Sequence, residues 1–381
     1  MTRNAGRWQK QTAGPESFQA FLPHPLPLDP PLNLSSIMRV YEKANRELGR
    51  LDSIVESLPN PDHFLYMYVR KEAVLSSQIE GTQSSLSDLL LFENEAAPPK
   101  DGDVEEVSNY VKAMRYGLER IKGGFPLSNR LIREIHKVLI ENARGGHKEP
   151  GEFRRSQNWI GGSRPGNAVY VPPPPHEAAG AMSDLENFFH EKRPDIPPLL
   201  KAGLVHAQFE TIHPFLDGNG RLGRLLITFI LCSENVLTQP LLYLSLYFKE
   251  HRTFYYELLQ KTRTEGDWEA WIEFYLEGVG EVSIQAREAA KRILALFEED
   301  RKKIVSLGKA AGTCLKIHEF LKEKGILPFK HAIARTELSY PAISKAVKSM
   351  EKLGIVREAN RNKTNRMIIY EPYLKIISEG I

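Results

Sequence analysis

The most constraining feature of the chain is a short loop of small and charged residues between two apolar helices: His213-Pro-Phe-Leu-Asp217-Gly-Asn-Gly-Arg221-Leu-Gly-Arg224. Upstream, Ala202, Val205, Phe209 and Ile212 recur at helical spacing and mark one buried face. Pro214 disfavours helical backbone at His213, so the upstream helix ends there. Downstream, Leu222, Leu225, Leu226, Phe229 and Ile230 form a second apolar stripe. The segment therefore reads as helix, tight loop, helix, with both helices packed into a core.

The loop between them concentrates chemistry. Gly218, Asn219 and Gly220 lie just before the second helix. Small residues permit positive φ and let successive backbone N–H groups point at one anion. The helix N-terminus adds partial positive charge. Arg221 and Arg224 are three apart and share a helix face. One imidazole, one carboxylate, an amide nest and two guanidiniums suit a polyphosphate with a metal ion. In that arrangement Asp217 serves Mg²⁺, the arginines serve phosphates and His213 moves a proton.

Three other readings fail. Gly218 to Gly223 spells GxGxxG, but the dinucleotide pattern needs a preceding strand and a helix precedes it here. Gly218 and Gly223 have Walker A spacing, yet Arg224-Leu225 stands where Lys-Ser/Thr is required. His206 and His213 sit in neither an HExxH nor a paired-cysteine zinc pattern.

The rest of the chain frames this segment. At 381 residues it has room for two or three domains. Hydrophobic residues at 41% and charged residues at 26% exclude wholesale disorder. Cys232 and Cys314 are too few for a disulfide framework, which points to a reduced, cytoplasmic setting. No apolar run approaches the roughly 20 residues of a membrane span, and no signal peptide is expected. Helical periodicity recurs without a βαβ alternation, so the fold class is mainly α.

Five regions are expected. Residues 1–34 form a proline-rich extended leader, and residues 35–125 a set of N-terminal helices. Residues 126–298 hold the core around the loop, with a short strand or flap at 168–171. Residues 299–312 form a linker. Residues 313–381 read as a helix-turn-helix with a two-stranded wing around a basic turn at Arg361, Lys363 and Arg366. Residues 309–381 carry 14 Lys+Arg against 7 Asp+Glu, a net of +7, whereas the remainder is net −4. That asymmetry points to DNA as a partner of the tail.

The loop segment matches throughout the signature HxFx(D/E)GNGRxxR and so resembles the Fic-domain proteins. The resemblance implies a helical Fic fold with a small β-hairpin flap, covering roughly residues 35–300, with the winged helix as a common partner module. It implies transfer of AMP from ATP to a Ser, Thr or Tyr hydroxyl of a target protein, or of the enzyme itself. His213 would be the general base and Asp217 the Mg²⁺ ligand. The nucleotide would lie along Gly218, Asn219, Gly220, Arg221, Leu222, Gly223 and Arg224. Phe215 would anchor the loop in the core.

Upstream, Ser76-Ser-Gln-Ile-Glu80-Gly81 resembles the family's inhibitory sequence (S/T)xxxE(G/N). Ser76 and Glu80 are i and i+4 on one helix face. The resemblance pairs Glu80 with Arg224 and places it in the space of the ATP γ-phosphate. Val169, Tyr170 and Val171 resemble the flap that registers a target's backbone by β-addition. Tyr256 resembles an aromatic residue lining the adenine site, but helical register leaves Tyr255 and Tyr256 open. The segment from Glu152 to Gly162 resembles the entry to the flap and is assigned no chemistry.

Two rivals are carried forward. One is AMP removal, or use of another phosphate donor, by the same pocket. The other is a DNA-binding regulator whose body senses nucleotide. Homodimeric regulation and the absence of a membrane partner complete the expectations.

Overall fold

The computed structural model describes residues 3–14, 16–57, 60–94, 102–141, 148–191, 193, 195–359 and 366–381. A hairpin of β1 (Gly6–Ala13) and β2 (Glu16–Pro23) opens the chain. Helices α1 (Leu34–Ser57), α2 (Pro61–Ile79), α3 (Leu86–Glu93), α4 (Asp103–Lys122) and α5 (Asn129–Ile140) follow. After a long loop come α6 (Pro175–His190), α7 (Pro198–Ile212), α8 (Asn219–Ser233), α9 (Ser245–Glu250), α10 (Arg252–Thr264) and the long α11 (Trp268–Val305). The C-terminal part is α12 (Ala311–Lys324), β3 (Ile326–Pro328), α13 (Phe329–Thr336), α14 (Tyr340–Lys352), β4 (Arg357–Ala359), β5 (Met367–Ile369) and α15 (Glu371–Ile377).

The mainly helical class follows from the periodicity. Helix α7 is the centre of the body: every residue from Leu199 to Ile212 is buried. A helix buried all round has no solvent face, so other elements must enclose it and its polar residues must find partners within the protein. Helix α8 packs against it, and α6, α10 and α11 cover its other sides. Helix α1 lies along α11. One continuous apolar core runs from Leu26 to Ile377. Among the described residues, no helix is long and apolar enough to cross a membrane.

Four features differ from the sequence reading. The leader is not simply extended. Residues 6–13 and 16–23 pair as an antiparallel ribbon in which Trp8 pairs with Phe21, and its Phe18 and Ala20 pack on Val171. The prolines 25 to 31 begin only after it. Second, the stretch 299–312 is no linker at its start. α11 continues through Val305, because Ile293, Phe297, Asp300 and Ile304 extend its buried side beneath the charged residues. Third, the expected two-stranded wing gains a third strand: β3 joins an antiparallel sheet in the order β3-β5-β4. Fourth, α15 was not foreseen; it docks on α11 and α2. The basic turn residues Arg361 and Lys363 lie outside the described residues.

The C-terminal unit is seated on the body. The buried Asp300 carboxylate accepts from the Tyr370 hydroxyl at 2.8 Å, and Lys71 on α2 donates to the Glu379 carbonyl at 2.6 Å.

Candidate active site

The α7–α8 loop is built by two left-handed residues and one asparagine. His213 caps α7 at φ 48°, with its N–H donating to the Phe209 carbonyl at 2.8 Å. Gly218 caps α8 at φ 76°, a conformation that costs glycine nothing. Asn219 spans the turn between them. Its Oδ1 accepts from the Phe215 N–H at 2.9 Å and its Nδ2 donates to the Phe215 carbonyl at 2.8 Å. Phe215 is fully buried and stacks on His136 with ring centroids 3.7 Å apart.

Several residues that hold this loop escaped the sequence reading. The Nδ1 of His136 accepts from the Gly151 N–H at 2.9 Å, so its Nε2 carries the proton and donates to the Asp217 carbonyl at 3.0 Å. Burial pushes the His136 imidazole down to about 4, which keeps it neutral in that role. The buried Arg154 donates to the His213 carbonyl at 2.9 Å, and Asn158 donates to the Phe215 carbonyl at 2.9 Å. The contacts made to the loop itself span from 57 to 81 residues of sequence, so spacing alone could not reveal them.

The side chains facing solvent-accessible space form two adjoining cavities. One, of about 490 Å³, is lined by Trp159, Val169, Tyr170, Arg252, Tyr255, Tyr256 and Arg263 among others. The second, of about 250 Å³, lies at the start of α8 and is lined by Thr82, Glu106, Asp217, Gly218, Asn219 and Arg221. His213, Gly220 and Glu80 line both. The first-turn N–H groups of α8 have no partner within their own helix, as at any helix start.

The charges are arranged in pairs. Arg224 donates from Nε to Ser76 Oγ at 2.8 Å, and from Nη2 to the Ser76 carbonyl at 2.9 Å and to Glu80 Oε1 at 2.6 Å. Burial alone would lower its pKa, but the Glu80 carboxylate outweighs this and the net direction is up. A Cβ on Gly220 would stand 2.2 Å from Glu80 Oε1, so the carboxylate lies directly over the first turn of α8. Arg221 is buried between Glu106 at 3.3 Å and Asp217 at 3.6 Å. Burial raises the pKa of Asp217, but Arg221 and Lys148 outweigh it and hold the carboxyl below its usual range. The ionised Asp217 carboxylate faces the smaller cavity. Among the described residues, no group of three His, Cys, Asp or Glu side chains could enclose a metal by itself. Asp217 offers one ionised carboxylate at the smaller cavity, a donor of the kind that suits Mg²⁺.

Some expected roles shift. Gly218 spends its N–H on Asp217 Oδ1 at 2.6 Å. The Asn219 side chain folds the loop, as described above. Leu222 turns its side chain into the core. Gly223 faces Glu210 and His206 rather than either cavity: a Cβ there would meet Glu210 Oε1 at 2.5 Å. Tyr255 is buried, with its hydroxyl 2.8 Å from His206 Nε2, whereas Tyr256 is 38% exposed at the rim of the larger cavity. The flap is a single antiparallel bridge, Ile160 to Tyr170, rather than a paired hairpin. Val169 points outward, while Tyr170 is buried and its hydroxyl donates to the Thr211 carbonyl at 2.6 Å. The Val171 carbonyl accepts from the Phe21 N–H of β2 at 2.9 Å.

A buried helix pair, a left-handed histidine and an arginine-flanked amide turn define the class of the Fic domain. Residues 126–231 match the Fic/DOC family and residues 38–119 match the Fic/DOC family N-terminal region. These two regions, about half of the chain, belong to the Fic/DOC family. It is similar to protein adenylyltransferase Fic of Aedes aegypti, 31% identical over 208 residues, which are 49% of this chain and 37% of that protein. The Drosophila grimshawi protein of the same name is 32% identical over 166 residues, 42% of this chain and 30% of that protein. The chain thus spans about a third of the length of these relatives. Its fold is similar to the crystal structure of a Fic family protein from Desulfovibrio desulfuricans G20, with a TM-score of 0.56 at 20% identity. That likeness covers 88% of this chain and 95% of the other.

Proposed function

We propose that this chain transfers AMP from ATP to a Ser, Thr or Tyr hydroxyl of a protein, itself included, and that Glu80 restrains the transfer. The observation that carries the reading is the convergence of His213, the α8 first turn, Arg221 and Arg224 on adjoining cavities shared with Glu80. The names of the similar proteins agree with it.

The chemistry follows from the side chains. Burial, with Arg263 and Arg154 nearby, pushes the His213 imidazole down to about 3, which weakens it as a base but leaves it neutral at physiological pH, with a ring nitrogen lone pair free of its own proton. The target hydroxyl oxygen attacks the α-phosphorus and a new P–O bond forms. The bond from that phosphorus to the bridging oxygen breaks, and pyrophosphate leaves. The hydroxyl proton passes to His213. The α8 amides and the two arginines stabilise the negative charge on the phosphates. Mg²⁺ held through Asp217 would supply further charge neutralisation there.

Restraint is an electrostatic substitution. The Glu80 carboxylate already occupies Arg224 and the approach over Gly220. A phosphate must displace it to reach the same groups. Incubation with ATP and Mg²⁺, followed by intact-mass measurement, tests the reading: an added AMP on this chain or on a co-incubated protein is expected. No adduct from either the wild type or a Glu80→Gly variant would overturn it.

We also read residues 313–381 as a winged-helix module that contacts DNA. Support comes from the order helix, strand, helix, helix, hairpin and from the exposed Lys345, Lys348 and Lys352 on α14. Arg366 is instead held by Glu358 at 2.6 Å. A gel shift on duplex DNA in a salt series checks this reading; its expected signature is affinity that falls steeply with salt.

A further inference from the structure

We infer that Glu210 is a positioning residue for His213, accepting the Nδ1 proton so that Nε2 is left free to receive the proton of the attacking hydroxyl. The inference rests on the AMP-transfer reading and adds a residue that reading does not use. Glu210 and His213 are three apart at the end of α7, with Oε2 3.8 Å from Nδ1. His213 Nδ1 and Glu210 Oε1 are buried polar atoms without a hydrogen-bond partner. The oxygen nearest Nδ1 is Oε2, and a turn about the last side-chain bond of Glu210 exchanges it with the unpartnered Oε1, so one group able to donate stands beside one able to accept.

The surroundings make room for the carboxyl; burial pushes it up to about 7, while Arg224 and Arg263 favour its ionised form. Gly223 on α8 leaves the space that Glu210 Oε1 fills, since a Cβ there would approach to 2.5 Å. The nearby guanidiniums direct hydrogen bonds elsewhere. Arg224 donates to Ser76 and Glu80, and Arg263 donates to Thr211, Gln260 and the Glu210 backbone carbonyl. The 3.8 Å separation is longer than a hydrogen bond, and catalytic hydrogen bonds commonly shorten when substrate binds. The tautomer matters because a neutral imidazole has only one basic nitrogen. With the proton on Nδ1 the basic nitrogen is Nε2, away from Glu210. With the proton on Nε2 the ring has no lone pair to offer on that side.

The test reads the tautomer directly. In full-length protein labelled with ¹⁵N-histidine, His213 is expected as the Nδ1–H form in the wild type. It should shift toward Nε2–H in Glu210→Leu and remain Nδ1–H in Glu210→Gln, whose amide oxygen still accepts. In a Glu80→Gly background, Glu210→Leu should lower kcat by about 10²-fold with KM for ATP unchanged, and Glu210→Gln should recover part of that loss. An unshifted tautomer in Glu210→Leu, or an unchanged kcat in it, overturns the inference. If Glu80→Gly transfers no AMP at all while the tautomer still shifts, the functional reading fails and the positioning role stands. Should Glu210→Leu fail to fold, the Gln variant decides through kcat: a loss as large as that of His213→Ala argues against positioning through an accepting oxygen.

Discussion

Arg224 Nη2 and Glu80 Oε1 lie 2.6 Å apart across 144 residues of sequence, with the guanidinium buried and the carboxylate at the junction of two cavities. Helix α2 presents the carboxylate at its C-cap: Glu72, Ser76 and Glu80 are each four residues apart, the first two buried and Glu80 at the helix end. Glu72 receives the Ser245 N–H at 3.1 Å, and Ser76 receives Arg224 Nε at 2.8 Å. The ion pair is therefore held by an entire helix face rather than by two mobile side chains.

Removing this carboxylate should release the site. A hydrogen bond to a charged group contributes about 1.5–3 kcal/mol, which corresponds to roughly 10- to 100-fold in an equilibrium. Glu80→Gly is expected to raise AMP incorporation by a factor in that range. Radiolabelled ATP gives the rate, and an unchanged rate would remove the inhibitory role.

His213→Ala removes the proton acceptor while leaving Arg221 and Arg224 in place. In the Glu80→Gly background it should lower the rate by about 10²- to 10⁴-fold. ATP binding measured by calorimetry should change little. Retained transfer would show that another group accepts the proton.

Gly223→Ala tests packing inside the site. The new methyl would meet Glu210 Oε1 at 2.5 Å and His206 at 3.3 Å. Overpacking of this kind costs about 1–3 kcal/mol. Chemical denaturation should show that loss; a variant as stable as the wild type would mean that Glu210 moves aside freely.

Glu72 gives a pH dependence with a definite sign. Burial pushes its carboxyl up to about 7 from an ordinary 4.5, against the hydrogen bonds of Ser245 and Tyr110. The folded state thus binds this proton more tightly than the unfolded state. Its stabilising contribution is present below pH 4.5 and is lost as pH rises toward 7, by roughly 3 kcal/mol in all. Glu72→Gln cannot ionise, so the stability of the wild type minus that of the variant should fall by about that amount across this window. A difference independent of pH would contradict it.

The loop was legible because its chemistry is local. Pro214, Gly218 and the flanking apolar stripes prescribe a break between two helices, and each stripe appears buried as spaced. The charged end of α11 was misread because Arg301, Lys302 and Lys303 dominate the composition there. The buried side depends on Ile304 and on Asp300 meeting Tyr370. The ribbon at residues 6–13 and 16–23 was hidden by the prolines that follow it. Its burial against Val171 comes from a segment more than 140 residues away.

What the sequence by itself determined is the inventory and its local order: an imidazole, a carboxylate, small amides and two guanidiniums on consecutive turns, and an acidic helix end upstream. Tertiary structure alone decided how they are used. It seated Glu80 on Arg224, spent Asn219 and Gly218 on folding the loop, and set Glu210 beside the unpaired nitrogen of His213. The physical reason is reach. Backbone periodicity orients neighbours three or four positions apart, but the partner of a buried charge is chosen by whichever distant element packs against it.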